Sequence, residues 1–566
     1  MDVGVKRRKA GRIMAEFNDK VIYQIYPKSF KDTNGDGFGD LQGIIEKLDY
    51  LEDLGIDYIW ITPVFPSPQN DNGYDVADYC AIDPRFGTMA DMEKLVEESA
   101  GKGIGLMLDM VFNHTSTEHE WFRRALAGEK EYQEYYIFRE GTPEKPPTNW
   151  QSKFGGSAWE YVPELGKWYL HLFDVTQADL NWENPRVRQE LKNVILFWKS
   201  RGISGFRFDV VNLISKPEIY EDDDEGDGRR FYSDGPHIHE YLKELTRDTG
   251  IEDMVTVGEM SSTKLEACAR YSNPGEKELS MCFHFHHLKV DYKDGDKWAL
   301  MEPDRLALKN LFELWQTGMQ ERQGWSALFW CNHDQPRSVT RFGDEGRYWK
   351  ESAKMLAACI HLMRGTPYIY QGEELGMTNA HYRHITEYRD VESLNYYHIL
   401  LEQGKTEEEA LSILAVRSRD NSRTPMQWSG EKNAGFTETE PWIKVTDNYQ
   451  KINAQLQVSD EDSVYSFYKK LVALRKEKDV ISKGTITFLE KGNSDILAYS
   501  RQYEGEEIIV LNNLTAGEAA ADAEKAWTGY RKILGNYNGD EYMAGSSVIL
   551  RAYETVVLSN SPAHPL

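Results

Sequence analysis

Arg207 and Asp209 stand two residues apart at the end of the apolar run Gly202-Ile203-Ser204-Gly205-Phe206. On an extended strand residues two apart point the same way, so both side chains share one small site. An arginine beside a carboxylate favours the ionised form, which a carboxylate nucleophile needs near neutral pH. Taken alone, the pair reads more readily as a structural ion pair. Glu259, in Val257-Gly258-Glu259-Met260, and Asp334, in Asn332-His333-Asp334-Gln335, end two further apolar runs. Each singly could be a capped strand end, but three such carboxylates beside His114, His333 and Arg207 make a catalytic cluster the better reading. The chemistry such a set performs is cleavage of a glycosidic acetal. One carboxylate serves as nucleophile or base, and another, its pKa raised by an apolar or like-charged setting, serves as acid.

The frame that must hold them is written in eight short β-rich apolar runs, each leading into turn residues and a longer amphipathic stretch: Val21–Pro27, Ile56–Val64, Gly103–His114, Gly202–Val211, Met254–Met260, Leu279–Phe285, Ser326–Asp334 and Thr366–Glu374. Strands alternating with helices in that number predict an α/β fold, a (β/α)8 TIM barrel, with catalytic groups at the C-terminal strand ends. Asn113, His114, Arg207, Asp209, Glu259, His333 and Asp334 all fall there. A doubly wound sheet would gather ligand groups at a switch point instead. The barrel is expected over 18–114 and 184–489. The Trp-, Tyr-, Gly- and Pro-rich connection 115–183 is too long for a plain loop and predicts an inserted subdomain walling one side of the cleft. A second insertion, 375–430, follows the eighth strand, and alternating runs over 490–566 predict a C-terminal antiparallel β domain. Residues 1–17 read as a disordered extension, with Met14 an alternative start.

The formal charge of −26 argues against nucleic acid or an anionic membrane as partner over any broad face. An anionic substrate then requires a local basic pocket. The 15 Trp and 32 Tyr suit clefts lined by flat rings, or simply a large core. Cys80, Cys268, Cys282, Cys331 and Cys359 are scattered and read as reduced core thiols. No apolar run approaches the ~18 residues of a membrane span. The basic start Lys6-Arg7-Arg8-Lys9 leads into no apolar segment, so the cytoplasm is the expected compartment. No organic cofactor is expected, the partner is a small molecule, and a monomer is the default state.

Asp32-Thr33-Asn34-Gly35-Asp36-Gly37-Phe38-Gly39-Asp40 places side-chain oxygens at alternate positions round a Gly-rich turn, which suits a hard cation. Residue 43 is Gly where an EF-hand carries Glu, so this is no EF-hand, and a metal-free loop of Asx turns accounts for the same residues.

Four segments, DMVFNH at 109–114, GFRFDV at 205–210, VGEM at 257–260 and CNHD at 331–334, resemble in order and placement the four signature regions of glycoside hydrolase family 13, the α-amylase superfamily. The resemblance implies Asp209 as nucleophile, Glu259 as general acid/base and Asp334 as the carboxylate stabilising an oxocarbenium-like sugar, with His114, Arg207 and His333 binding the sugar before the scissile bond. It also implies retention through a covalent glucosyl-Asp, hence Asp209 and Glu259 carboxyls about 5–5.5 Å apart. In exo-acting members an Asp and a Tyr close the glucose pocket and an Arg pairs with that Asp; Asp71, Tyr74 and Arg419 match them. Phe173 and Gln177 match residues lining the next subsite. The 32–40 loop resembles a calcium loop of oligo-1,6-glucosidase-like members, with Asp32, Asn34, Asp36, Asp40 and the Phe38 carbonyl as ligands. Val210, after the nucleophile, resembles members acting on α-1,6 rather than α-1,4 links.

Within the family, PTNWQSKFGGSAWE at 147–160, MSST at 260–263, residues 285–298 and SRDNSRTPMQW at 418–428 resemble members that hydrolyse trehalose 6-phosphate to glucose and glucose 6-phosphate. His286, His287, Lys289, Lys293 and Lys297 gather just past the sixth strand, where they could bind a phosphate that the acidic surface repels. His286, Lys289 and Lys297 are the expected contacts. A solvated loop neutralised by Asp291, Asp294 and Asp296 is the alternative. An oligo-1,6-glucosidase or dextran glucosidase acting on isomalto-oligosaccharides, which needs no such cluster, is the second functional reading.

Overall fold

The computed structural model describes residues 17–561 apart from 523–526, 528, 540–542 and 545–546. Most of the expected N-terminal extension therefore lies outside the described residues. Phe17 does not belong to a loose tail: it is buried, edge-on to Trp325 with ring centroids 6.0 Å apart.

Eight parallel strands form the barrel. They are β1 (Ile22–Ile25), β2 (Tyr58–Ile61), β3 (Gly105–Met110), β4 (Gly205–Phe208), β5 (Val255–Glu259), β6 (Met281–Phe283), β7 (Ala327–Leu328) and β8 (Thr366–Tyr370). Their hydrogen-bonded order is β6-β5-β4-β3-β2-β1-β8-β7, and a parallel bridge between Cys282 and Ser326 joins the two ends into a ring. Covered by helices outside and by one another inside, these strands are buried on both faces and so carry apolar runs rather than alternation. The outer layer is specified locally. Before the helix Pro185–Lys199, the Asn184 side chain accepts the Arg186 N–H and Pro185 takes the first turn, while Val187, Leu191, Val194, Ile195 and Trp198 form the inward stripe.

The long segment after β3 folds as a three-stranded antiparallel sheet, Phe138–Glu140, Lys167–Leu170 and Trp159–Val162, above a pair formed by His114–Ser116 and Gln177–Asp179. Its Trp150, Trp159 and Trp168 pack with Val210 and Leu213 beyond β4, anchoring the insertion beside the barrel mouth. At the other end of the chain, the antiparallel sheet starts at Thr485 rather than 490, because Thr485–Leu489 pairs with Ile496–Tyr503. No turn-rich stretch separates that strand from the helix Asp479–Ser482, which is why the sequence hides the boundary. Tyr499 and Arg501 donate to the carbonyls of Cys359 (2.8 Å) and Leu362 (2.7 Å), filling acceptors left open at the end of the helix Trp349–His361. All five cysteines are free, with only Cys80 partly exposed. Among the described residues no helix is long and apolar enough to cross a membrane.

Candidate active site

Arg207, fully buried on β4, spreads one guanidinium over three carboxylates. Nη1 donates to Asp109 Oδ1 at 2.6 Å and to Asp209 Oδ1 at 2.7 Å, and Nη2 pairs with Glu259 Oε2. The parallel ladders explain the convergence: Arg207 lies opposite Asp109 of β3 and Val257 of β5, so Glu259, two residues beyond Val257, faces the same way. Asp109 also accepts from Tyr74 Oη (2.9 Å) and Trp60 Nε1 (3.2 Å). One cation for three carboxylates undercompensates. Burial raises the pKa of Asp209, Arg207 pulls it down and Asp109 pushes it up again, leaving it above the ordinary value. Arg207 thus offsets only part of the burial cost, because it is shared with Asp109 as well as Asp209. Immediately after Asp209, Val210 adopts the left-handed region (φ 34°, ψ 40°), an unusual conformation for a β-branched residue that turns the chain sharply at the end of β4.

Arg419 performs the matching task at the closed end of the cavity. Its guanidinium reaches Asp71 Oδ1 (3.0 Å), Asp390 Oδ1 (2.5 Å), Asp334 Oδ1 (3.3 Å) and Glu392 Oε2 (3.5 Å), and Arg423 adds a 2.7 Å contact to Asp334. Burial opposes ionisation of Asp334, but His333, 3.2 Å away, with Arg419 and Arg423 holds it well below the usual carboxylate range. Asp71 is pushed by burial up to about 7 in spite of Arg419. Gln177 Nε2 donates to Asp71 Oδ2 (3.1 Å) and meets His114 Nε2 (3.1 Å). Tyr74 stacks on His333 at 5.0 Å, and Phe173 lies 5.2 Å from His114. Asp71, Tyr74, His114, Phe173, Asp209, Glu259, Asp334 and Arg419 line a single cavity of about 300 Å³.

The loop after β6 divides the three residues expected to meet a phosphate. Lys289 and Lys297 line the cavity. His286 does not: its ring packs 4.6 Å from Trp315, and burial lowers its pKa to about 4, making it a neutral packing group. Lys297 Nζ is tied to Glu392 Oε2 at 2.6 Å, whereas Lys289 has no ion-pair partner among the described residues. Local acids do not neutralise this loop. Asp291 turns inward to Arg341 (2.8 Å) and Arg417, and Asp296 accepts the Trp298 N–H.

In the 32–40 loop each Asp and Asn side chain accepts from a backbone amide. Asp32 Oδ1 accepts from Asn34 (3.0 Å), Asn34 Oδ1 from Asp36 (2.9 Å) and Asp36 Oδ1 from Phe38 (2.9 Å), while Asp40 caps the following helix at Gly43 N. Asp32 Oδ2 also accepts from Gly37 N at 2.9 Å, drawing the turn closed. Among the described residues no three His, Cys, Asp or Glu side chains converge as a metal site, so any cation here depends on mixed carboxylate, amide and carbonyl oxygens.

Several residues of the cavity carry no clear sequence signal. Asp109 had one, a lone carboxylate inside an apolar strand. Lys153, Arg229, Asp390, Glu392 and Arg423 lie on insertions whose course cannot be read from local pattern; Lys153, Arg229 and Glu392 line the cavity directly.

Carboxylates gathered round an arginine at the C-terminal mouth of a closed (β/α)8 barrel define a class of glycoside-cleaving enzyme. A family model described as the α-amylase catalytic domain matches residues 24–484, and one described as the maltogenic amylase C-terminal domain matches 486–544. The chain belongs to the α-amylase family of glycoside hydrolases. It is similar to the trehalose-6-phosphate hydrolase of Escherichia coli (strain K12), 56% identical over 518 residues that cover 91% of this chain and 94% of that protein. It is 44% identical over 551 residues to the oligo-1,6-glucosidase of Bacillus cereus, covering 96% and 98%. The crystal structure of Bacillus licheniformis trehalose-6-phosphate hydrolase matches with a TM-score of 0.92 at 52% identity, covering 96% of this chain and 99% of that one.

Proposed function

We propose that this chain is a retaining, exo-acting α-glucosidase that hydrolyses trehalose 6-phosphate to glucose and glucose 6-phosphate. The Asp209 carboxylate attacks C1 of the unphosphorylated glucose while Glu259 gives its proton to the departing glucose 6-phosphate oxygen. Glu259, now a carboxylate, takes a proton from water, which attacks C1 of the glucosyl-Asp209 ester and restores both groups. Asp334, ionised by its arginines, faces the positive charge that develops on the sugar ring. The buried Asp71–Arg419 ion pair lining the cavity supports exo action.

The observation that carries the phosphosugar reading is Lys289, an exposed cation without an ion-pair partner among the described residues, lining the same cavity as the buried Asp71. Relatedness to trehalose-6-phosphate hydrolases supports the same choice. A phosphorylated disaccharide is retained by membranes, so a cytoplasmic site of action belongs to this reading. A calcium ion in the 32–40 loop, held by Asp32, Asn34, Asp36, Asp40 and the Phe38 carbonyl, belongs to it as well, supported by the succession of oxygens around the closed turn. The test is kcat/KM for trehalose 6-phosphate, trehalose and isomaltose measured side by side. The phosphosugar should be preferred by orders of magnitude; isomaltose turned over equally well would transfer the assignment to an oligo-1,6-glucosidase.

A further inference from the structure

Three cations from three separate segments face one another across the open end of the cavity. Lys153 comes from the inserted subdomain, Arg229 from the connection after β4 and Lys289 from the loop after β6. Such a gathering is costly without an anion, most of all in a chain of net charge −26 that has carboxylates to spare. Yet acids are scarce at this wall. Lys153 Nζ donates to the neutral Ser261 Oγ at 2.8 Å and lies 5.9 Å and 5.7 Å from the ring centres of Phe173 and Tyr232. Among the described residues neither Lys153 nor Lys289 has an ion-pair partner, and only Arg229 is matched, by Asp227 at 2.5 Å.

We propose that Lys153 and Arg229 complete, with Lys289, a composite site that grips the phosphate of the substrate between the inserted subdomain and the barrel. The inference rests on the phosphosugar reading and names which residues enforce it. A phosphate dianion presents three acceptor oxygens, enough for one contact to each cation. Its arrival turns mutual repulsion among the three into attraction to a shared centre. The repulsion is visible on Lys153, whose pKa is lowered to about 7 by burial and then by Arg229 and Lys289, with Asp227 and Asp179 opposing. Ser261 places this wall next to the acid/base: it lies two residues after Glu259, and its N–H is fixed by Asn212 Oδ1 at 2.8 Å. The leaving-group oxygen protonated by Glu259 and the phosphate of the same sugar would thus be held from one strand end and the loop against it.

The experiment is calorimetric binding of glucose 6-phosphate, with glucose as control, to the full chain at pH 7, alongside KM for trehalose 6-phosphate and for p-nitrophenyl glucoside. Lys153→Met and Arg229→Gln should each weaken glucose 6-phosphate binding and raise the phosphosugar KM by roughly 10- to 100-fold, the scale of a hydrogen bond to a charged group. The p-nitrophenyl glucoside KM should move far less, and Lys153→Arg should restore most of the loss. Arg229 is exposed, so its variant tests the site even if a variant of the half-buried Lys153 folds poorly. If the wild-type chain binds glucose 6-phosphate and Lys153→Met and Arg229→Gln bind it as tightly, the composite site is wrong while the phosphosugar reading stands. If the wild-type chain binds glucose 6-phosphate no better than glucose, the phosphosugar reading itself falls and takes this site with it.

Discussion

At the closed end of the cavity almost every charge meets a counter-charge inside the protein: Arg419 touches Asp71, Asp334, Asp390 and Glu392, and Arg207 touches Asp109, Asp209 and Glu259. At the open end Lys153 and Lys289 meet none. The difference separates two tasks. Groups that stabilise a transition state must be in place before substrate arrives, and an internal ionic network holds them there. Groups that choose a substrate gain by being left unsatisfied until the right ligand supplies the missing charge, because a wrong ligand then leaves those cations unpaired.

The largest effect that would break this contrast concerns the closed end. Asp209→Asn should lower kcat/KM by about 10⁴-fold or more on phosphorylated and plain glucosides alike, as loss of a nucleophile does; ordinary activity in that variant would end the mechanistic proposal. Next in size is a stability difference between the two ends. Arg419→Ala strands several buried carboxylates and should cost roughly 3–5 kcal/mol in unfolding experiments. Lys289→Ala removes an unpaired charge and should change stability by about 0.5 kcal/mol or less. Its effect should appear instead as a KM for trehalose 6-phosphate raised about 10- to 100-fold.

The two ends should also titrate differently. Asp209 must be ionised to attack and its pKa is raised, so activity is lost as pH falls through a value above the ~3.9 of an ordinary Asp, moving the acid limb of kcat/KM upward for every substrate. Lys153 is charged below its pKa of about 7 and neutral above it. The KM for trehalose 6-phosphate should therefore rise between pH 7 and 9, while that for trehalose stays flat. Smallest of all, removing calcium with EDTA should lower the melting temperature by a few degrees, by loss of ligand linkage. The ratio of phosphosugar to plain-sugar activity should not change, since the loop touches neither end.

What the sequence disclosed tracks how local each cause is. Strands buried on both faces announce themselves as apolar runs, and β1 to β8 fall inside the runs that predict them. Arg207, Asp209 and Glu259 converge as the strand period predicts, whereas Asp334 lies in the loop beyond Leu328, the last residue of β7, and reaches the cavity without that period. His286 was misread because a basic-looking run does not say which member will find an aromatic partner, and Trp315 lies on a separate helix. Lys153 lies within the segment 147–160 and Arg229 opens a short helix after β4, but neither carries a period that points it at the cavity, and only the assembled cavity brings them to Lys289. The C-terminal boundary was hidden for a third reason: only Lys483 and Gly484 separate the last helix from Thr485.

The barrel ring is not zipped evenly. β4 and β5 share a register of four residue pairs, but β6 and β7 meet only at Cys282 and Ser326, and β7 is two residues long. The segment bearing Lys289 and Lys297 rises directly from that slack seam. A change at the exposed Lys289 therefore leaves untouched the β4–β5 ladder that holds Arg207 against Val257, so selection of the leaving group and cleavage of the bond rest on separate parts of the ring.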